Sequence, residues 1–404
     1  MTRRIRVIEI LNGLGIEQFG GGAERFVVAL SHALNPAQFE VTICGLWSRG
    51  TQLEQKRREQ LEAKGIHTFF ATKWEPQRLT SSFLTAVKNV RNWLTQNPVD
   101  ILHSHSQFGD VLAPICKMTM GVPVALRTVH DGHSLEWRKR PLRRLLFTNL
   151  LYPFLFDVEI GVNPFIAERL SHRRLAALLR KRSLCIYNAL DAKRFSQITV
   201  DRAQKRLSLG ISPHAFVVGF VGRLVEGKGV EILLEAFAIV VQQAPQVMGI
   251  IIGDGEWSTL LHTKAQQLGI GKNVRFLGPR TDIEELYVCM DLFVLPSFWE
   301  GLPTVILESM ASGIPVLASD IPGNRLLIKD QVNGWLTPPG HAQALADKIL
   351  TSLNSPSALW EITLRARETV KKFDIENIAP QHEKLYVQTL SSGNPRFSRG
   401  NQNL

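Results

Sequence analysis

The sequence is short of cysteine, tyrosine and long apolar runs. Its 404 residues include only four cysteines and four tyrosines. Cys44, Cys116, Cys185 and Cys289 are scattered, mostly within apolar runs, with no metal or redox spacing. That pattern points to buried free thiols in a reducing compartment rather than to disulfides. No Asp-x-Asp pair occurs, so a metal-bridged diphosphate has no obvious ligand set. No glycine-rich turn is followed by Gly-Lys-Ser/Thr, which excludes a P-loop. The longest uncharged apolar run, LLFTNLLYPFLF at 145–156, is shorter than the ~20 residues of a spanning helix. The start, MTRRIRVIEILNGLG, is basic but has no apolar stretch of signal-peptide length and reads as a first strand. The expectation is a cytoplasmic protein, at most peripheral on the inner face of a membrane.

What is present is a globular composition, 45% hydrophobic and 21% charged, with a net charge of +11 that favours an anionic partner. Short apolar runs alternate with amphipathic stretches: RVIEIL, FEVTICGLW, HTFFAT, DILHSH, PVALRTV, VEIGV and SLCIY, then, after a polar interval, FVVGFVG, GIIIGDG, VRFLG, LFVLPS, PVLAS and GWLTP. Strands alternating with helices imply right-handed βαβ units and mostly parallel sheets. The restart predicts two α/β domains of Rossmann-like type, 1–190 and 191–373, facing each other across a cleft. A last helix at about 374–390 is expected to pack back on the first domain, and 391–404 to form a disordered tail. In open α/β sheets ligands sit at the carboxyl ends of the strands, so those ends are where chemistry is sought.

Several strand ends carry candidate groups. Gly20, Gly21 and Gly22 precede a helix beginning near Ala23, which makes either an anion site of backbone N–H groups or a plain loop. In GRLVEGKG, Arg223 and Lys228 flank the start of a helix near Val230, where two cations could neutralise two phosphates or form a solvated basic loop. Gly253 and Gly255 in GDG allow close backbone approach to a ring or ribose, or simply make a tight turn. His103, His105 and His130 stand at two further strand ends. Their nitrogens could serve as ligand contacts, as satisfied core groups, or as a metal pair with His130 or His133 as partner. In SFWEGLPTVILESMASGIPVLASD, at 297–320, a helix from Pro303 to about Ser312 is apolar nearly all round, hence buried, yet bears Glu308 and follows Glu300.

Taken together, GGAER (21–25), GRLVEGKG (222–229), GDGEW (253–257), RFLGPR (275–280) and EGLPTVILE (300–308) resemble the retaining glycosyltransferases of family 4, the glycosyl transferases group 1, with the two-domain GT-B fold. The resemblance covers nearly the whole chain, is strongest from 217 to 340, and includes the family's Glu-x7-Glu signature. It implies an N-terminal acceptor domain and a C-terminal donor domain. Glu308 would bind the ribose hydroxyls, Glu300 would lie near the transferred sugar, Arg223 and Lys228 would hold the diphosphate, and His130 would touch the donor sugar. Gly21, Gly22, Gly253, Gly255, Gly301, Leu302, Pro303 and Thr304 would complete the donor site, with His103 and His105 toward the acceptor. No metal or other cofactor is expected beside the nucleotide-sugar, a UDP-sugar being the family's commoner choice. Two departures stand out: Tyr187 and Ala189 flank Asn188 where relatives have Pro and Gly, and Leu326 and Leu327 stand where many relatives have a glutamate.

The implied reaction moves the sugar to a hydroxyl of a glycan or lipid-linked acceptor in envelope, exopolysaccharide or glycolipid synthesis. The segment WRKRPLRRLLFTNLLYPFLF at 137–156 suits an anionic membrane surface or a core helix. Two other classes stay open: a nucleotide-sugar epimerase on the same fold, and a nucleic-acid-binding protein suggested by charge alone. The latter lacks any recognisable binding motif, so nucleic acid is not expected as a partner.

Overall fold

The structure is a computed structural model and describes residues 3–14, 21–130, 144–179, 181 and 183–393. The chain divides into two compact units, Met1–Ala189 with Ile375–Leu404, and Leu190–Asp374. Unit 1 holds seven strands: β1 Ile5–Leu11, β2 Phe39–Ser48, β3 His67–Lys73, β4 Ile101–Ser104, β5 Val124–Val129, β6 Val158–Gly161 and β7 Leu184–Cys185. Their spatial order is β3-β2-β1-β4-β5-β6-β7, every neighbouring pair parallel. Unit 2 holds six: β8 Val217–Val221, β9 Met248–Ile252, β10 Val274–Gly278, β11 Leu292–Leu295, β12 Val316–Ser319 and β13 Trp335–Thr337, in the order β10-β9-β8-β11-β12-β13. Each sequence-predicted strand segment overlaps one of these thirteen strands.

In both sheets the winding reverses once, between β1 and β4 in unit 1 and between β8 and β11 in unit 2. Loops leaving adjacent strands diverge at such a reversal, opening a crevice at the carboxyl edge of the sheet. The segments after β1, β4, β8 and β11 are therefore the ones that position a site.

The pleat sorts unit 1's strands onto two faces. Ile5, Val7, Leu11, Ile101, Val124 and Leu126 share a core with the helix Gly22–Ala33 and the C-terminal helix Ile375–Gly393. Ile8, Ile10, Leu102 and Ala125 pack on the other face against the helices Leu79–Gln96 and Gly109–Met120. Each fully buried aliphatic side chain contributes roughly 1.5–3 kcal/mol. By the same alternation Glu9, His103 and Thr128 lie on the first face, and Ser104 and Arg127 on the second.

Three expectations need amendment. Cys44, Cys116 and Cys289 are buried free thiols, but Cys185 is exposed, because β7 is a two-residue strand at the sheet edge. The helix Ile375–Gly393 runs past the expected start of the tail at 391, and residues 394–404 lie outside the described residues. Of the segment 137–156, residues 137–143 also lie outside them. The remainder is a π-helical stretch, Arg144–Leu151, followed by Tyr152–Leu155. It divides between both readings: Tyr152 and Phe156 are core, while Leu146, Leu150, Leu151 and Phe154 are exposed. Among the described residues no helix is long and apolar enough to cross a membrane.

Candidate active site

The site in unit 2 is built by glycines. After β8 the chain runs through Gly222 to Gly229 and into the helix Val230–Gln243. Gly227 and Gly229 have φ of +88° and +67°, a region that side chains disfavour. A Cβ on Gly227 would come within 2.0 Å of the Trp299 ring, and one on Gly229 within 2.1 Å of the Pro296 carbonyl oxygen. The Phe298 N–H donates to the Gly227 carbonyl at 2.9 Å. The loop after β8 is thus clamped on the loop after β11, and Lys228 lies between its two glycines. Its Nζ donates to Glu300 Oε1 at 2.6 Å, and Ser297 Oγ donates to the same oxygen at 2.8 Å. The two side chains are only 21% and 11% exposed, so the pair is partly shielded from water. Its value is geometric, since it holds an ammonium and a carboxylate together at the switch point. Arg223, one residue beyond Gly222, is exposed and bonds through its side chain to none of the described residues.

Gly301, Leu302, Pro303 and Thr304 lead from Glu300 into the helix Thr304–Ala311, whose start they bury. Glu308 is 1% exposed, and the Tyr287 hydroxyl, 3.1 Å from its Oε2, lies 3.2 Å from the Val305 carbonyl oxygen. A helix enclosed on nearly every side leaves that carboxylate little rotational freedom. Gly253 and Gly255 have a packing reason of their own. A Cβ on Gly253 would meet the Gly222 carbonyl oxygen at 1.9 Å, and one on Gly255 the Leu224 carbonyl oxygen at 2.3 Å. Leu224 N–H donates to Asp254 O, and Trp257 N–H donates to Leu224 O, each at 2.9 Å. These glycines let the β9 loop brace the β8 loop.

Unit 1 brings a different set together. Glu9 on β1 pairs in register with His103 on β4. His105 Nε2 lies 2.6 Å from Glu9 Oε2, and His105 Nδ1 lies 3.0 Å from His130 Nε2. His130, partly exposed, stands edge-on to Phe26, with ring centroids 5.8 Å apart. Burial opposes the charge of Glu9, yet the His103 and His105 rings hold its carboxyl well below the usual carboxylate range. Burial, with His103 beside it, pushes His105 well below the ordinary histidine value, so its ring is neutral. His382, on the C-terminal helix, is pushed down to about 3, chiefly by burial.

His103 does not fit its expected acceptor role. It is fully enclosed, with Nδ1 2.7 Å from the Tyr386 hydroxyl and Nε2 2.8 Å from Thr128 Oγ1. The C-terminal helix covers it, leaving no edge for a ligand. Gly21 also departs from expectation. Its N–H donates at 2.6 Å to Glu24 Oε2, so the chain's own carboxylate caps the helix that Gly22 begins. Gly20 and His133 lie outside the described residues. Glu9, His103 and His105 place one ligand atom each within 4.8 Å of one another, the arrangement among the described residues that could hold a metal ion. Their contacts at 2.6–2.8 Å are those of a hydrogen-bonded cluster.

Sequence reasoning missed Glu9, Tyr386 and His382. Glu9 left a signal, a lone carboxylate inside the apolar strand IRVIEIL; the other two lie on a helix that tertiary packing alone brings to β4.

A family model described as Glycosyltransferase Family 4 matches residues 20–194, and one described as Glycosyl transferases group 1 matches 201–372. The chain is 30% identical over 257 residues to the Escherichia coli UDP-Gal:alpha-D-GlcNAc-diphosphoundecaprenol alpha-1,3-galactosyltransferase. That match covers 60% of this chain and 63% of the relative, less than two thirds of its length. The chain is 35% identical over 246 residues to the Rhizobium meliloti lipopolysaccharide core biosynthesis glycosyltransferase LpsE, covering 61% and 67%. A crystal structure of Anabaena Alr3699/HepE in complex with UDP-glucose is similar with a TM-score of 0.77 at 26% identity, over 96% of this chain and 100% of that one. The chain belongs to the family 4 glycosyltransferases and has their GT-B fold.

Proposed function

We propose that the protein is a retaining glycosyltransferase that moves a sugar from a UDP-sugar to a hydroxyl of a glycan or lipid-linked acceptor. The observation that carries this reading is the clamped pair of loops that sets Lys228 on Glu300, just ahead of the helix that buries Glu308. Support for the donor comes from HepE, whose structure holds UDP-glucose, and from the Escherichia coli relative, named for UDP-Gal. Support for a lipid-linked acceptor comes from that same relative, named for a diphosphoundecaprenol-linked sugar.

In this reading Arg223 and Lys228 neutralise the diphosphate, and Glu308 accepts hydrogen bonds from the ribose diol. Glu300 and His130 contact the transferred sugar, with Gly22, Gly301, Leu302, Pro303 and Thr304 lining the donor. The bond from the anomeric carbon to the diphosphate breaks, and the acceptor oxygen bonds to that carbon from the same side. The departing phosphate oxygen takes the acceptor's proton. Charge develops on the leaving diphosphate, so preorganised cations stabilise the transition state more than the ground state. His105 is reassigned from the acceptor to the support of His130. The exposed Leu146, Leu150, Leu151 and Phe154 are assigned to an anionic lipid surface at which the acceptor is met.

Binding measurements test this. At ~100 times its Kd a nucleotide adds about 2.7 kcal/mol, enough to raise the unfolding midpoint by several degrees. UDP is expected to give that shift, and GDP and ADP to give none. A shift with another nucleotide would replace the donor, and no shift with any of the three would overturn the donor site. Flotation with anionic vesicles decides the surface, since protein left at the bottom of the gradient removes the membrane assignment.

A further inference from the structure

The buried cluster in unit 1 has a direction. The Tyr386 hydroxyl donates to Glu9 Oε1 at 2.9 Å. Its oxygen therefore accepts from His103 Nδ1–H at 2.7 Å, and His103 Nε2 lies 2.8 Å from Thr128 Oγ1, a hydroxyl that can turn to suit it. On the other branch Glu9 Oε2 is acceptor only, so His105 carries its proton on Nε2, 2.6 Å away. A neutral ring has one N–H, so His105 Nδ1 is an acceptor and the proton between it and His130, at 3.0 Å, belongs to His130 Nε2. Both branches thus run toward one carboxylate, and no donor in the cluster faces another donor.

We propose that Glu9, acting through His105, is a positioning residue that holds His130 in its Nε2-protonated tautomer. Nδ1 is then the nitrogen without a proton. Any effect of the tautomer on turnover rests on the proposed contact between His130 and the transferred sugar. The tautomer itself rests on the cluster alone. Burial strengthens the constraint. Glu9, His103 and Tyr386 are each 0% exposed and His105 is 5% exposed, so no water replaces a lost partner without opening the core. Phe26 packs against both His105 and His130 and limits ring rotation as well. The same logic holds a catalytic imidazole in place wherever a buried carboxylate accepts from its far side. Here one further imidazole lies between carboxylate and working ring.

The test is two-bond ¹H–¹⁵N correlation spectroscopy of the full-length protein labelled at histidine, with His130→Gln assigning the resonance. In the wild type, His130 should show a protonated Nε2 and a bare Nδ1; a protonated Nδ1 with a bare Nε2 would overturn the proposal without any variant. In Glu9→Met, which offers no acceptor to His105, the single tautomer should give way to an averaged pair of shifts. An unchanged spectrum there would overturn it too. Tyr386→Phe cuts only the other branch and should leave the His130 tautomer as it is.

Turnover supplies the independent readout. Glu9→Met is expected to lower kcat by on the order of tenfold, as loss of an orienting partner does elsewhere, and to add nothing to the loss in His130→Ala. If the tautomer is lost in Glu9→Met while kcat and KM stay at wild-type values, the relay stands and the His130–sugar contact fails. Additive losses from Glu9→Met and His130→Ala would overturn the route through His105.

Discussion

The two sheets share a winding order and differ in what their strands bury. In unit 2, β8, β9, β11 and β12 read VVGFV, MGIII, LFVL and VLAS, and Ser319 is the polar residue buried on them. Its candidate groups, Arg223, Lys228 and Glu300, lie in loops beyond the strand ends, and Glu308 lies on a helix. Unit 1 puts Glu9, His103, Arg127, Thr128 and Glu159 on the strands themselves. One face holds the histidine cluster. On the other, Arg127 lies 3.3 Å from Asp110 and 3.5 Å from Glu159, with its guanidinium 4.4 Å over the Tyr152 ring. In unit 2 the exposed Arg223 and the loop pair Lys228 and Glu300 lie outside the strands, whereas Glu308 and the glycines are held by packing. In unit 1 core and candidate site are one network, so changing its chemistry also changes its stability.

That contrast can be broken at several points. The largest effect is expected from Arg127→Met, which leaves Asp110 without its buried counter-charge and Glu159 with Arg173 alone. Breaking a buried charge cluster typically costs about 3–5 kcal/mol. Hydrogen exchange should show that loss in unit 1 peptides while unit 2 keeps its protection; a neutral or stabilised variant would mean that the cluster is not what holds unit 1 together.

Next comes Lys228→Ala. Losing one preorganised donor should lower turnover by at least ~10², about 3 kcal/mol of barrier, with a smaller stability loss than Arg127→Met, since the pair it breaks is less deeply buried. Near-wild-type turnover would remove Lys228 from the proposed chemistry. A large stability loss would erase the contrast between the units.

The smallest effect is acid sensitivity. Unfolded His382 takes a proton as pH falls through about 6.5, whereas the folded group does so only at about 3. Below pH 6.5 the unfolded state binds more protons, so unit 1 loses stability as pH falls, by about 2 kcal/mol at pH 5. His105 is depressed too and adds in the same direction, whereas Asp110, raised by burial, opposes it. In unit 2 the depressed carboxylates Asp282 and Asp320 lose their contribution only below about pH 4, and the raised Glu231 works the other way. Denaturation followed by exchange at pH 7 and 5 should therefore show unit 1 weakening first. Equal weakening of both units would contradict this assignment.

The sheets were legible because parallel strands are covered on both faces and read as unbroken apolar runs. The glycine loops that carry Lys228 and Glu300 could be read for a related reason. Gly227 and Gly229 are fixed by Trp299 and Pro296, contacts that stay within unit 2. His103 was misassigned because a strand end does not reveal which helix will cover it. Its partner Tyr386 lies 283 residues away, and no local pattern announces that meeting. Glu9 was visible but unexplained, since a lone carboxylate inside a strand has meaning only once its cross-strand neighbours are known.

The discontinuity of unit 1 sets an order on synthesis. Glu9 and His103 leave the ribosome early, but Tyr386 and His382 are added after all of Leu190–Asp374. At 5–20 residues per second that interval lasts roughly ten to forty seconds. Throughout it the first sheet lacks the helix that covers its histidines, and unit 2 becomes continuous before that helix is added. The half of the protein that begins first is therefore the half that is completed last.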